Sequence, residues 1–235
     1  MLYNRQDIIG EVKRLGILPF FAGEVEGFSI EEMICPDYWF DDDTGGNGVW
    51  DWKNDIIVDG GCAYGKFYRG KACFVSAEWF PHLVSVRREG FLPNADEQLI
   101  LDTVVEHGSL LTREIKKLCG YTAPRRLRGV TPLEKVVVRD AQKSKPRGKG
   151  GFDGAITRLQ MGCRLLSAEF EYSYTRDGRR YGWSVARLCT PEDFFGADFL
   201  NTGCTVEESR DMLLKHLATV LPYASGQELR RIVER

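Results

Sequence analysis

Apolar residues recur at helical spacing at the start of the chain. "RQDIIGEVKRL" sets Ile8, Ile9, Val12 and Leu15 on one stripe, with Asn4 as its cap and Gly16 as its stop. A proline then ends "ILPFFAG", and "FSIEEMICPDYWF" reads as a short helical or mixed element. After the loop composition of "DDDTGGNG" the pattern becomes aromatic and β-prone, and three short strands are predicted: Ile56–Val58, Ala63–Tyr68 and Ala72–Val75. In that reading Trp50 and Trp52 stand on alternate positions of extended chain. "AEWFPHLVSVRREG" (77–90) returns to helix, so residues 1–93 form a mixed α/β region.

From Asn94 the pattern is different. "NADEQLILDTVVEHG" predicts a helix with Leu99, Leu101, Val104 and Val105 on its apolar face, and "LLTREIKKLCG" a shorter one with Leu111, Ile115 and Leu118 inward. Residues 121–150, where prolines and glycines lie among cations, read as a long loop. "FDGAITRLQMGC" then places Phe152, Ile156 and Leu159 on one stripe, leaving Gly154, Thr157, Arg158 and Met161 outward. "RLLSAEFEYSY" alternates with period two, "TRDGRR" holds an Asp-Gly turn, and "YGWSVARL" is the return strand. Three helices followed by a hairpin is the order of a winged helix-turn-helix, predicted over 94–192. The tail (193–235) is helical: Thr205 and Glu208 have capping-box spacing before a stripe of Met212, Leu213, Leu217, Val220 and Leu221, and "SGQELRRIVER" follows. The fold class expected is α+β.

Charge changes this picture more than composition does. A formal net charge of −2 over 235 residues hides a segment 1–60 with thirteen Asp/Glu against four Lys/Arg, and a segment 113–149 with twelve Lys/Arg against three Asp/Glu. Such asymmetry points to a polyanionic partner for the basic part. Seven scattered cysteines with no C-x-x-C pair fit reduced thiols, so neither a metal nor another cofactor is expected. No apolar run approaches the roughly 18 residues of a membrane span, and the charged N-terminus is unlike a secretory signal, so a cytoplasmic protein is expected.

Candidate chemistry follows from the winged-helix expectation. Cations on three elements would gather at one DNA face: Arg113, Lys116 and Lys117 on the second helix, Lys145, Arg147, Lys149 and Arg158 at the third, and Arg176, Arg179 and Arg180 on the wing. Thr157 stands beside Arg158, but base-edge readout needs Arg, Asn or Gln, so limited sequence specificity is expected. In "VWDWK" the two tryptophans, Trp50 and Trp52, are candidates for base stacking, with Asp51 or Lys53 acting on the base and Asp51 the candidate for catalysis. The acidic run Asp41, Asp42, Asp43 reads as a solvated loop.

The stretch "WDWKNDI…CAYGKFYRGKACFVSAEWFP…VRRE", followed by "AITRLQMGCRLLSAEFEYSYTRDGRRYGWSVARLCTPEDFF", resembles the AlkZ-related proteins, relatives of the AlkZ/YcaQ winged-helix DNA glycosylases. The resemblance implies a winged helix that binds duplex or damaged DNA, and a link to DNA repair. It also implies a glycosylase acting on alkylated or crosslinked bases as an alternative. The enzymes of that family carry an early Gln-x-Asp or Gln-x-Gln motif that handles the attacking water. The nearest counterpart is "GILPFF", with Pro19 and Phe21 at the two polar positions. Neither can move a proton, so a carboxylate elsewhere, Asp51, would have to replace it. A winged-helix protein-interaction module is the third expectation.

Overall fold

The first helix forms where the stripe predicts. α1 (Arg5–Leu15) is capped by the Asn4 side chain, which accepts from the backbone N–H of Gln6 and Asp7, and it buries Ile8, Ile9, Val12 and Leu15. The computed structural model describes residues 1–39, 48–122 and 151–234. The expectations for Asp41, Asp42, Asp43, Lys145, Arg147 and Lys149, and for most of the 121–150 loop, lie outside the described residues.

Beyond α1 come β1 (Ile17–Pro19), α2 (Ile30–Met33), α3 (Val49–Gly60), β2 (Ala63–Tyr68), β3 (Lys71–Val75) and α4 (Phe80–Arg88). The three strands form an antiparallel sheet in the order β1-β3-β2. One expectation fails here: Ile56–Val58 is not a strand, and "VWDWK" is the first turn and a half of α3. Val49, Lys53, Ile56 and Ile57 fall on one buried helical stripe, and a helix then satisfies its backbone groups locally. The alternation of tryptophans imitates period two, but two positions apart on a helix lie on nearly opposite faces.

The second half runs α5 (Ala95–His107), β4 (Ser109–Leu111), α6 (Thr112–Leu118), α7 (Gly151–Met161), β5 (Leu166–Tyr174) and β6 (Arg180–Cys189). Its sheet is antiparallel in the order β4-β6-β5, so the predicted helix order and hairpin are present. Phe152, Ile156 and Leu159 are buried as expected, with Ile100, Val104, Leu110 and Ile115 around them. The inward face of α5 differs from expectation. Ile100 and Val104 are buried while Leu99 and Val105 are exposed, as is Leu118 on α6. A helix buries one stripe, and Glu97, Ile100 and Val104, spaced three and four apart, are the residues the neighbouring helices cover.

The tail, α8 (Pro191–Phe195), α9 (Val206–Val220) and α10 (Gly226–Val233), packs back onto the first half. α9 lies on α4 and reaches α1. Leu213, Leu217, Leu221, Leu229, Ile232 and Val233 complete the same core as Ile8, Leu15 and Phe80. Each such side chain contributes about 1.5–3 kcal/mol relative to exposure, so these helices are a structural part of the first core.

Candidate functional site

The two halves meet along β2, which touches both α7 and β5. Two consequences decide where a site can lie: the face of α7 expected to point outward is covered, and the hairpin is brought against the N-terminal end of α3.

On α7, Lys66 of β2 donates from Nζ to Thr157 Oγ1 at 3.1 Å and from its backbone N–H to Gln160 Oε1 at 3.2 Å. The β2–β3 turn is Arg69-Gly70, both at positive φ. A Cβ on Gly70 would lie 3.0 Å from Thr157 Cγ2, so the bare glycine lets the turn rest on the helix. Arg158 forms an ion pair with Glu97, which is only 3% exposed. Thr157 and Arg158 are thus partly exposed, each engaged by a neighbouring element. The exposed side chain of α7 is instead the acidic Asp153, which pairs with Lys116 of α6 at 3.2 Å. Beneath this contact a cavity of about 210 Å³ lies between β2, α7 and the hairpin.

The other consequence concerns Asp51. The first turn of α3 abuts β5, where the Asn54 side chain accepts from the backbone N–H of Phe170 at 3.0 Å. Asp51 Oδ1 accepts from the Tyr172 hydroxyl at 2.7 Å and is ion-paired to Arg180. The Arg180 guanidinium stacks on the Tyr172 ring, 3.3 Å from its centroid. Lys53, 6% exposed, lies with Nζ 4.7 Å from the Trp50 ring centroid and 4.4 Å from that of Phe170. Trp50, Asp51, Lys53, Tyr172 and Arg180, with Trp183 and Ser184, line a cavity of about 140 Å³.

Tyr172 reaches Asp51 because alternation along β5 turns Phe170 and Tyr172 to the same side. Arg180 and Trp183 share that side for a different reason. Between the pairs Glu171↔Val185 and Ser173↔Tyr181, β6 carries extra residues, with Gly182 at φ 70°. Such a bulge shifts the alternation and re-aims the side chains beyond it. The ring of Trp183, 78% exposed, stands 6.2 Å from that of Trp50.

Burial acts on two of these groups. It pushes the Lys53 ammonium down to about 8, opposed by the attraction of Asp51 and reinforced by the repulsion of Arg180. It also raises the Tyr172 phenol above its ordinary value, with the hydrogen bond to Asp51 adding to the shift. An amine that gives up its proton near neutrality, beside a held carboxylate and between aromatic rings, can act as a base or as a nucleophile.

Of the candidates from sequence, the fold brings together Trp50, Asp51 and Arg180. Trp52 points elsewhere, onto Tyr38 at 5.9 Å between ring centroids. Arg113 and Lys117 are exposed on α6, and Arg176 and Arg179 at the hairpin tip. Sequence reasoning misses Tyr172, Trp183 and Ser184, and it names Lys53 only as an alternative to Asp51. What the strand reading hides is that Lys53 is buried, in helical register with Val49 and Ile56. "GILPFF" lies close by, with the Phe21 ring 5.8 Å from that of Trp50.

Among the described residues, no group of three or more His, Cys, Asp or Glu converges to hold a metal ion, and no helix is long and apolar enough to cross a membrane. What fold and site define is an α+β protein with small antiparallel sheets and a carboxylate, amine and aromatic cavity between α3 and the hairpin. The chain belongs to the AlkZ-related family, whose family model matches residues 2–234, and this membership suggests a DNA-repair-related role and interaction with DNA. Comparison with curated proteins and with solved structures finds no match to either.

Proposed function

We propose that this is a winged-helix DNA-binding protein of limited sequence specificity, linked to repair, that grips duplex DNA by its hairpin and α6. The observation that carries the reading is the hairpin surface. Tyr174, Tyr181 and Trp183 are all exposed there beside Arg176 and Arg179, next to the Asp51 cavity. Aromatic rings with interleaved arginines suit phosphate contact and base stacking, and neither reads a base edge. Arg113 and Lys117 add cations on α6. With α7 covered by β2, its role in this reading is structural.

Fluorescence anisotropy on a random duplex tests it. Affinity should fall steeply with salt, and Arg176→Ala with Arg179→Ala should weaken binding and lower the salt slope by about one per lost contact. No binding at about 50 mM salt would sink the reading. A stable protein partner surviving nuclease treatment would replace it with the interaction-module alternative.

The cavity favours a second reading, a glycosylase acting on alkylated or crosslinked bases. Trp50 and Trp183 would hold an extruded base while Asp51, fixed by Tyr172 and Arg180, stabilises the positive charge developing on the sugar. Alkylated duplex should then accumulate abasic sites with the wild-type protein and not with Asp51→Asn. Intact DNA after incubation with wild-type protein excludes it.

A further inference from the structure

We propose that Lys53 is a nucleophilic amine that captures an aldehyde entering the cavity beside Asp51, the substrate class being the ring-opened deoxyribose of an abasic site in duplex DNA. The identity of the aldehyde rests on the DNA-binding reading above; the placement of the amine does not.

The geometry is unusual for a lysine that only fills space. Its ammonium rests on the Trp50 and Phe170 rings, while Asp51, the nearest acid on its own helix, is held by Tyr172 and Arg180. Among the described residues no carboxylate lies within ion-pair distance of Nζ. An apolar side chain of similar length would fill this position without the cost of burying a charge. What a lysine adds is a primary amine facing a cavity that opens beside the exposed Trp183.

Size and protonation agree with that use. The cavity, about 140 Å³, is small beside the roughly 300–1,000 Å³ of ordinary ligand sites, so it suits a sugar-sized group better than a nucleotide. With its proton released near 8, about a quarter of the amine is neutral at pH 7.5, against about one part in a thousand for an ordinary lysine. In the step itself, the Nζ lone pair attacks C1′ of the open sugar, forming a C–N bond as the carbonyl electrons move to oxygen. The resulting carbinolamine loses that oxygen with the two amine hydrogens as water, leaving a C1′=N imine. No oxidant or reductant is needed, and water reverses the reaction. Tyr172, lining the same cavity, is positioned to pass a proton to the departing oxygen.

The test is reductive trapping. The full chain is mixed with a duplex carrying one abasic site in the presence of borohydride, which reduces the imine to a stable amine. Covalent product is read on a denaturing gel, and its attachment point by peptide mapping of the wild-type adduct. The wild-type protein should give product mapped to Lys53, forming faster as pH rises towards 8 and levelling above it. An ordinary surface lysine would keep gaining past pH 10. Asp51, Tyr172 and Arg180 are the charged and titratable groups facing Lys53, and Asp51→Asn should move that plateau to lower pH. Lys53→Met and Lys53→Arg should each lose product at least tenfold, while Lys13→Met, on the exposed face of α1, should not. Product that maps to another amine, or that persists in Lys53→Met, overturns the proposal. So does abasic duplex that is bound but never trapped, an outcome that leaves the DNA-binding reading intact. Failure to bind either intact or abasic duplex removes both.

Discussion

Replacing Lys53 with methionine removes a charge from a buried position while keeping much of the stem that packs there. Burial lowers the Lys53 pKa from 10.5 to about 8, which corresponds to about 3 kcal/mol of folding free energy lost to keeping the charge. The sign follows from which state holds the proton more tightly. The unfolded chain keeps it up to about pH 10.5, and the folded protein releases it near 8. Below pH 8 both states are protonated and the full cost applies; between 8 and 10.5 the cost fades, because only the unfolded chain still binds the proton. At roughly 0.5–1 kcal/mol for each ring, cation–π attraction from Trp50 and Phe170 returns about 1–2 kcal/mol, so the pH-dependent part falls at about 1–2 kcal/mol. Urea unfolding of wild type and Lys53→Met at pH 7 and pH 10 measures it, and subtracting the two curves removes the tyrosine and cysteine titrations they share. The variant should be the more stable at pH 7, with its advantage shrinking by that amount at pH 10. A difference constant to within about 0.5 kcal/mol across that range would show that Lys53 is not desolvated, and the nucleophile argument would lose its physical basis.

Arg158→Ala should cost about 1–3 kcal/mol, because it leaves Glu97 buried without its cation; the partial exposure of Arg158 keeps this below the value for a fully buried pair. Duplex affinity should not change, whereas a loss of affinity at unchanged stability would mean that α7 touches DNA after all. Adding Glu97→Gln to that variant should restore part of the stability, read by urea unfolding. Leu217→Ala, at a fully buried position where α9 meets the first core, should cost about 2–5 kcal/mol and lower the melting temperature of the whole first half. Limited proteolysis that removes the tail and leaves that half stable would contradict it.

Elements set by local chemistry are legible in the amino-acid order itself. α1 needs only its stripe and the Asn4 cap, and α9 its stripe and the Thr205–Glu208 capping box, which forms as the spacing predicts. The hairpin needs its alternation and the Asp-Gly turn. All of these are decided within a dozen residues by interactions the segment makes with itself. α3 escapes such a reading because its local signal, two tryptophans around an aspartate, fits either period over five residues. Its register is settled by what it packs against, α1 on one side and β5 on the other. The inner face of α5 behaves the same way, since which of several apolar stripes is covered depends on the neighbours.

The candidate site divides along that line. Sequence alone marks Asp51, Trp50 and Arg180 as chemically interesting, and it determines the family, the α+β class and the order of helices and hairpin. It has no means of joining Asp51 to Arg180, 129 positions away, or of showing that Arg158 is engaged by Glu97, 61 positions back. Arg158 meets Glu97 because α7 packs on α5, and Asp51 meets Arg180 because α3 packs on the hairpin that β2 also touches. Propensity and periodicity act along the chain. Burial, the lowered proton affinity of Lys53 and the cavity around it come from surfaces meeting across it, and only the tertiary structure decides which surfaces meet.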